Sequence, residues 1–194
     1  MVRFSLDSPD SLLANFYTHN THGDLVFITG PSGSGKTYWC QKLAELASSQ
    51  GIRACGLLSP ALTVRGVKVG IDLVDISTGD KLRLARKRQT SDQGADPPGI
   101  ATHDWLFDPA VLAWGNQVLA SLPERFALLI LDELGPLEFL QNQGLTAGLS
   151  LVDCKGYQLA CVVVRPELLA NAQERWPWGR QLRIENKTPA PGDL

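Results

Sequence analysis

The sequence has no apolar run long enough to span a bilayer, no closely spaced cysteine pair and almost no net charge. Each absence excludes a class. A membrane-crossing helix needs about 20 consecutive apolar residues, and the longest runs here are far shorter. The first 23 residues also lack the apolar stretch of a secretory leader, so a cytoplasmic protein with no membrane partner is expected. Cysteine occurs four times, at Cys40, Cys55, Cys154 and Cys161, with no C-x-x-C and no Cys/His cluster at zinc-ligand spacing. Cys55 and Cys161 lie inside apolar strand-like runs and are expected to be buried, reduced thiols. Eighteen basic against twenty acidic residues leave a net charge of −2, which argues against a general nucleic-acid binder. The sequence has neither an internal repeat nor a composition shift that would mark a domain boundary. What is present, 194 residues at 44% hydrophobic content, suffices for one α/β domain with a buried core.

One segment dominates the reading. Gly30, Pro31, Ser32, Gly33, Ser34, Gly35, Lys36 and Thr37 spell G-x-x-x-x-G-K-[ST] in full. The apolar run Leu25–Thr29 precedes it as a strand, and Tyr38–Gln50 follows as a helix with Trp39, Leu43, Leu46 and Ala47 on one face, stopping at Gly51. That strand–loop–helix context is the one in which this motif cradles a triphosphate. A triphosphate is highly charged and must be held by groups without bulk. Glycines let the backbone turn its N–H groups inward, and the helix N-terminus adds positive potential. Lys36 is then placed to reach the β- and γ-phosphates, and Thr37 to ligate Mg²⁺.

The partner of such a loop is a carboxylate at the end of a buried strand. Phe126–Leu131 is a continuous apolar run that ends in Asp132-Glu133. Read as the strand beside the phosphate-loop strand, it puts Asp132 where it can hold Mg²⁺ through water. Glu133, one residue on, can polarise a water as general base. An Asn-Lys-x-Asp guanine reader and a Leu-Ser-Gly-Gly-Gln transporter signature are both missing. That leaves a free-standing nucleoside triphosphatase, a small-molecule or nucleotide kinase built on the same site, or a nucleotide-gated switch.

The rest of the chain fills out a mainly parallel sheet flanked by helices. Ser8–Ser11 starts a helix whose stripe is Leu12, Leu13, Phe16 and Tyr17, an accessory segment within residues 1–23. Ile52–Leu58 is the second strand. Val67, Val69, Ile71 and Leu73 alternate with polar residues and Gly70, turn at Ser77–Asp80 and return through Leu82 and Leu84. This predicts an inserted β-hairpin. Residues 86–104 read as a loop. Further helices are expected from Asp108 to Leu122, over Asn142–Val152 and after Pro166, with strands at Leu159–Val164 and an edge strand through Leu182 and Ile184. The main domain is expected to be 24–185, and 186–194 a flexible tail.

Together, Gly30–Thr37, the Asp132-Glu133-Leu-Gly-Pro-Leu-Glu138 string and the Cys55-Gly-Leu-Leu segment leading to Gly66-Val-Lys-Val-Gly-Ile-Asp-Leu resemble the P-loop nucleoside-triphosphatase family. Its members include the cancer-related nucleoside-triphosphatase and archaeal and bacterial relatives. The likeness covers roughly residues 24–185. It implies a RecA-like sheet and slow, Mg²⁺-dependent hydrolysis of ATP, GTP and other nucleoside triphosphates. It also implies phosphate binding by Gly30–Thr37, metal support by Asp132 and water activation by Glu133. The chain departs from family members in having Ser59-Pro60-Ala61 where they carry a Thr-Glu pair, and Lys68 in the region where they carry an Arg ahead of Gly-Phe.

Other candidates rest on position alone. Arg165 follows the apolar strand Leu159–Val164, and strand carboxyl ends face the ligand crevice of an open parallel sheet. It is a candidate catalytic cation, with an ion pair or helix cap as the alternative. Lys81, Arg83, Arg86, Lys87 and Arg88 form the densest positive segment, either a solvated strand face or a mobile basic cover over 81–104. Trp105, Phe107, Trp176 and Trp178 are candidates for base stacking. Glu138 matches the family string without a derivable role. A protein partner is not readable.

Overall fold

The computed structural model describes residues 8–18, 23–89, 100–102 and 104–185. The expected tail at 186–194, the three histidines and the whole segment 90–99 lie outside the described residues. Ten strands form one sheet: β1 (Asp24–Thr29), β2 (Ala54–Leu58), β3 (Ala61–Val64), β4 (Val67–Asp75), β5 (Lys81–Lys87), β6 (Ile100–Ala101), β7 (Trp105–Phe107), β8 (Phe126–Leu134), β9 (Tyr157–Val164) and β10 (Arg180–Arg183). The helices are α1 (Pro9–Thr18), α2 (Lys36–Ser49), α3 (Pro109–Ala120), α4 (Pro136–Gln141), α5 (Thr146–Cys154) and α6 (Leu169–Arg175).

The strand order is β10-β1-β9-β8-β2-β4-β5-β7-β6, with β3 attached to β4. The first five strands in that order are mutually parallel. The runs of the four inner strands β1, β9, β8 and β2 are largely apolar because both faces are covered, whereas the edge strand β10 is polar and exposed except at Leu182. Leu25, Phe27, Leu129 and Leu131 belong to the core under α3, α5 and α6. Their alternates Val26, Ile28, Leu128 and Ile130 belong to the core under α1 and α2. Leu12 and Leu13 of α1 are fully buried in that second core, so the accessory helix is an integral layer.

The strand order corrects one expectation. The carboxylate strand β8 does not adjoin β1, because β9 lies between them. Beyond β2 the sheet turns antiparallel. The hairpin β4–β5 pairs onto β2 through Leu57↔Asp75 and Leu58↔Val74 and so continues the main sheet. It carries β3, β7 and β6 with it. The predicted loop over 86–104 is therefore partly strand. Lys87 pairs with Trp105 at its near end, and Ile100 pairs with Phe107 at its far end. Strands of two and three residues are too short to show a period-2 alternation, so residues 86–104 read as a loop. The helix expected over Asn142–Val152 starts later, at Thr146, and runs to Cys154, and a separate helix not expected from the sequence, α4, precedes it. Asn142, in the left-handed conformation at φ 51°, ends α4.

Candidate functional site

All five parallel strands end on the same edge, and the residues singled out from the sequence collect there. The loop after β1 makes its tight turns at Gly33 (φ 77°) and Gly35 (φ 92°), where a side chain would be strained. Gly35 is also the N-cap of α2 and supplies no capping side chain. The first backbone N–H groups of α2 are thus free of intrahelical partners at the loop. Lys36, buried, donates from Nζ to the carbonyls of Gly30 and Pro31, both at 2.8 Å. Ser34 Oγ is buried in the same loop without a hydrogen-bond partner.

Thr37 and Asp132 meet across the sheet. Thr37 Oγ1 donates to Asp132 Oδ1 at 3.2 Å, and the Ser59 N–H donates to Asp132 Oδ2 at 3.1 Å. Burial pushes the Asp132 carboxyl up to about 6, against the lowering effect of those two donors. Such a carboxylate gains from a cation. Thr37 and Asp132 supply hard oxygen donors of the number Mg²⁺ takes from a protein when phosphates and water complete its shell. The residues present therefore fit the ion.

Asp132 and Glu133 do not simply follow the strand, as the sequence reading had it. They lie within β8, where its register against β9 shifts between Leu131↔Val162 and Leu134↔Val164. One extra residue on β8 bulges out and re-aims the side chains. Glu133 then receives a hydrogen bond from Arg165 Nε, at the end of β9. Burial works against the Arg165 charge, but the adjacent carboxylate outweighs it and raises the guanidinium above its ordinary value. Of the two alternatives to a catalytic cation, the ion pair is observed and the side-chain helix cap is not.

The structure does not bring the basic segment 81–88 to the phosphates as a mobile cover. Residues 81–87 are strand, Arg83 is ion-paired with Asp72, and Lys81 stands 3.9 Å from the same carboxylate. Trp176 is excluded from base stacking. It is fully buried, stacked on Phe27 with ring centroids 6.2 Å apart, and donates to Asp153. Trp178 packs at the edge of that core under the Lys155 ammonium. Glu138 acquires a role. Its buried carboxylate accepts from the N–H groups of Gly135 and Leu145, both at 2.7 Å, capping α4 and tying down the start of α5. Burial raises its pKa despite those bonds. Gly144 is needed there, since a Cβ would come within 2.0 Å of Glu138 Oε1.

Two members of this edge escaped the sequence reading. The Ser59 N–H has no sequence signature. Lys68 stands on β4, with its ammonium 4.8 Å from the Trp105 ring centroid. It is near enough to Glu133, Arg165, Asp132 and Lys36 to feel the charge of all four.

A parallel sheet in this order, with a phosphate loop after β1 and a buried aspartate facing that loop's threonine, defines a P-loop nucleotide-binding protein of the additional-strand class. More particularly, the chain belongs to the NTPase family, whose profile matches residues 25–177. It is 29% identical over 117 residues to "Nucleoside-triphosphatase THEP1" of Methanopyrus kandleri, covering 60% of this chain and 61% of that protein. It is 39% identical over 117 residues to the protein of the same name from Pyrobaculum calidifontis, covering 59% of each. The matched part thus spans about three fifths of the length of these relatives. Among solved structures, a human cancer-related nucleoside triphosphatase superposes with a TM-score of 0.62 at 21% identity, covering 82% of this chain and 88% of that one. THEP1 from Aquifex aeolicus gives 0.59 at 18%, covering 84% and 90%. These two likenesses speak to the fold. Among the described residues no helix is long and apolar enough to cross a membrane.

Proposed function

We propose that the chain hydrolyses nucleoside triphosphates to the diphosphate and phosphate, with Mg²⁺ as cofactor. The observation that carries the reading is the convergence of Lys36, Thr37, Asp132 and Glu133 on one sheet edge, with Thr37 hydrogen-bonded to Asp132. Family membership and the printed names of the relatives support it. In this reading the loop N–H groups and Lys36 bind the phosphates. To do so, Lys36 exchanges its bonds to the Gly30 and Pro31 carbonyls for phosphate oxygens. Thr37 and Asp132 hold Mg²⁺, which when bound neutralises charge on the β- and γ-phosphate oxygens. Glu133 accepts a proton from the attacking water, and Arg165 fixes the direction of its carboxylate. Hydrolysis is favoured over transfer to an organic acceptor because a carboxylate, already oriented, stands one residue beyond the metal-side aspartate.

The test is Glu133→Gln. The amide keeps the shape and cannot take the proton, so turnover should fall about 10²–10⁴-fold. Affinity for the Mg²⁺–nucleotide should stay within a few-fold. Phosphate release and equilibrium binding are measured on both proteins. Hydrolysis by Glu133→Gln at the parent rate would remove Glu133 from the mechanism.

A further inference from the structure

The cations of the phosphate edge differ in what already holds them. Lys36 is bound to two carbonyls of its own loop, and Arg165 is engaged by Glu133. Farther along the wing, Arg83 and Lys81 share Asp72. Lys68 has no carboxylate at ion-pair distance among the described residues, and its recorded contact is with the Trp105 ring.

The topology explains how a lysine on the wing reaches this edge. Strand β4 runs antiparallel to β2 and pairs with its end, at Leu57↔Asp75 and Leu58↔Val74. The earlier part of β4 therefore projects past the edge where the phosphate loop lies. Six residues separate Lys68 from Val74, which at roughly 3.3 Å per residue is about 20 Å of strand. A straight strand would carry Lys68 away from the site. The register shifts between Leu62 and Thr63 in the β3–β4 ladder, and between Ile71 and Asp72 in the β4–β5 ladder. Bulges of this kind bend a strand and increase its twist. On this arm the Lys68 ammonium lies within the field of the Asp132, Glu133, Arg165 and Lys36 charges. Two strands farther on, Trp105 of β7 supplies the aromatic face beside the ammonium.

We propose that Lys68 is a catalytic residue whose ammonium contacts the γ-phosphate of the bound triphosphate, with Trp105 as the positioning residue that holds it there. This rests on the hydrolase reading above. Lys68 is exposed as a residue, yet desolvation lowers the pKa of its ammonium from the ordinary lysine value, against the raising effect of the Glu133 carboxylate. In the reaction the water oxygen bonds to the γ-phosphorus, and the bond from that phosphorus to the β–γ bridging oxygen breaks. The bridging oxygen leaves with the diphosphate, and the water proton passes to Glu133. Lys68 makes and breaks no covalent bond. Its charge offsets the charge carried by the non-bridging γ-oxygens, the part a mobile arginine plays in other phosphoryl-transfer sites. Arg165 is less suited to that part, since it already orients Glu133.

The experiment compares the parent with Lys68→Met, Lys68→Arg and Lys81→Ala. For each, affinity for a non-hydrolysable ATP analogue and for ADP is measured with Mg²⁺, and phosphate release is followed from ATP. A contact made only to the γ-phosphate predicts that Lys68→Met binds the analogue about tenfold less tightly with ADP affinity unchanged. Its kcat should fall about 10²–10³-fold. Lys68→Arg should recover much of both losses, and Lys81→Ala should match the parent. Trp105→Phe should lower kcat less than Lys68→Met does, and should abolish any analogue-dependent change in tryptophan emission that Lys68→Met also abolishes. An unchanged preference for analogue over ADP in Lys68→Met overturns the contact, and an unchanged kcat overturns the catalytic role. A parent that binds the analogue but releases no phosphate defeats the hydrolase reading instead, and the binding preference still decides the Lys68 contact.

Discussion

The sheet has two halves built on different rules. Of the five parallel strands, β1, β9, β8 and β2 are covered on both faces, and Val26–Ile28 and Leu128–Leu131 are at most 1% exposed. The antiparallel wing of β3 to β7 has polar and exposed positions along most of its length, with Val64 and Val67 more than half exposed at its tip. Each half contributes what its physics permits. Rigid, buried strands fix the loop and the paired carboxylates to a fraction of an ångström, as charge stabilisation requires. A half-solvated arm tolerates bulges and can bring a long cation to the edge of the site without rearranging a core.

Substitutions can break or sharpen this contrast. The largest stability effect is expected from Phe27→Ala in β1. Phe27 is fully buried against Trp176, so its loss should cost about 3–5 kcal/mol. Leu82→Ala, on the wing and 42% exposed, should cost less than about 1 kcal/mol. Urea unfolding midpoints with an unchanged slope give both numbers. Equal losses would mean that the two halves are one energetic unit. Glu138→Ala should come next. It strands the buried N–H groups of Gly135 and Leu145, at about 1–3 kcal/mol per unsatisfied donor. A loss smaller than that of Leu82→Ala would show that the cap between α4 and α5 is not held by this carboxylate. The smallest effect belongs to Arg83→Ala. Its partner Asp72 is only 11% exposed but keeps Lys81 at 3.9 Å when the half-exposed Arg83 is lost, so the loss should stay within about 1 kcal/mol. A thermal melt distinguishable by more than a few degrees from the parent would contradict a solvated strand face.

The same contrast explains what could be read from the sequence. Strand β1, the loop and β8 were legible because doubly buried strands are unbroken apolar runs and because phosphate chemistry demands glycines, Lys36 and Thr37 at fixed spacing. The hairpin of β4 and β5 was legible from its alternation. Strands β3, β6 and β7 were not, since two to four residues carry no period. The strand order was not legible either. Nothing in Leu128–Leu131 says that β9 separates it from β1, because pairing partners of apolar strands are set by crossover connections and packing. Within the site, Asp132 and Glu133 were found by residue type, whereas the bulge that re-aims them is a matter of register. Lys68 is a solvated-looking lysine in an alternating strand, and only the fold of the arm brings it within the field of Glu133. Glu138 could be matched to a pattern but not explained, since its partners are backbone N–H groups without a side-chain signature.

The last strand has a bearing on when the phosphate loop becomes competent. The Ile184 N–H donates to the Thr29 carbonyl at 2.7 Å. The Ile184 carbonyl lies so close to Gly30 that a Cβ there would come to 2.1 Å from it. The first turn of the loop is thus braced by a segment about 150 residues downstream of it. A chain emerging from the ribosome presents its phosphate-binding motif early, yet that motif lacks its brace until β10 has left the exit tunnel and docked on β1. Nucleotide affinity in a nascent chain should therefore follow the arrival of its last strand and not the synthesis of the motif itself, which keeps an unfinished domain from engaging the abundant nucleotides around it.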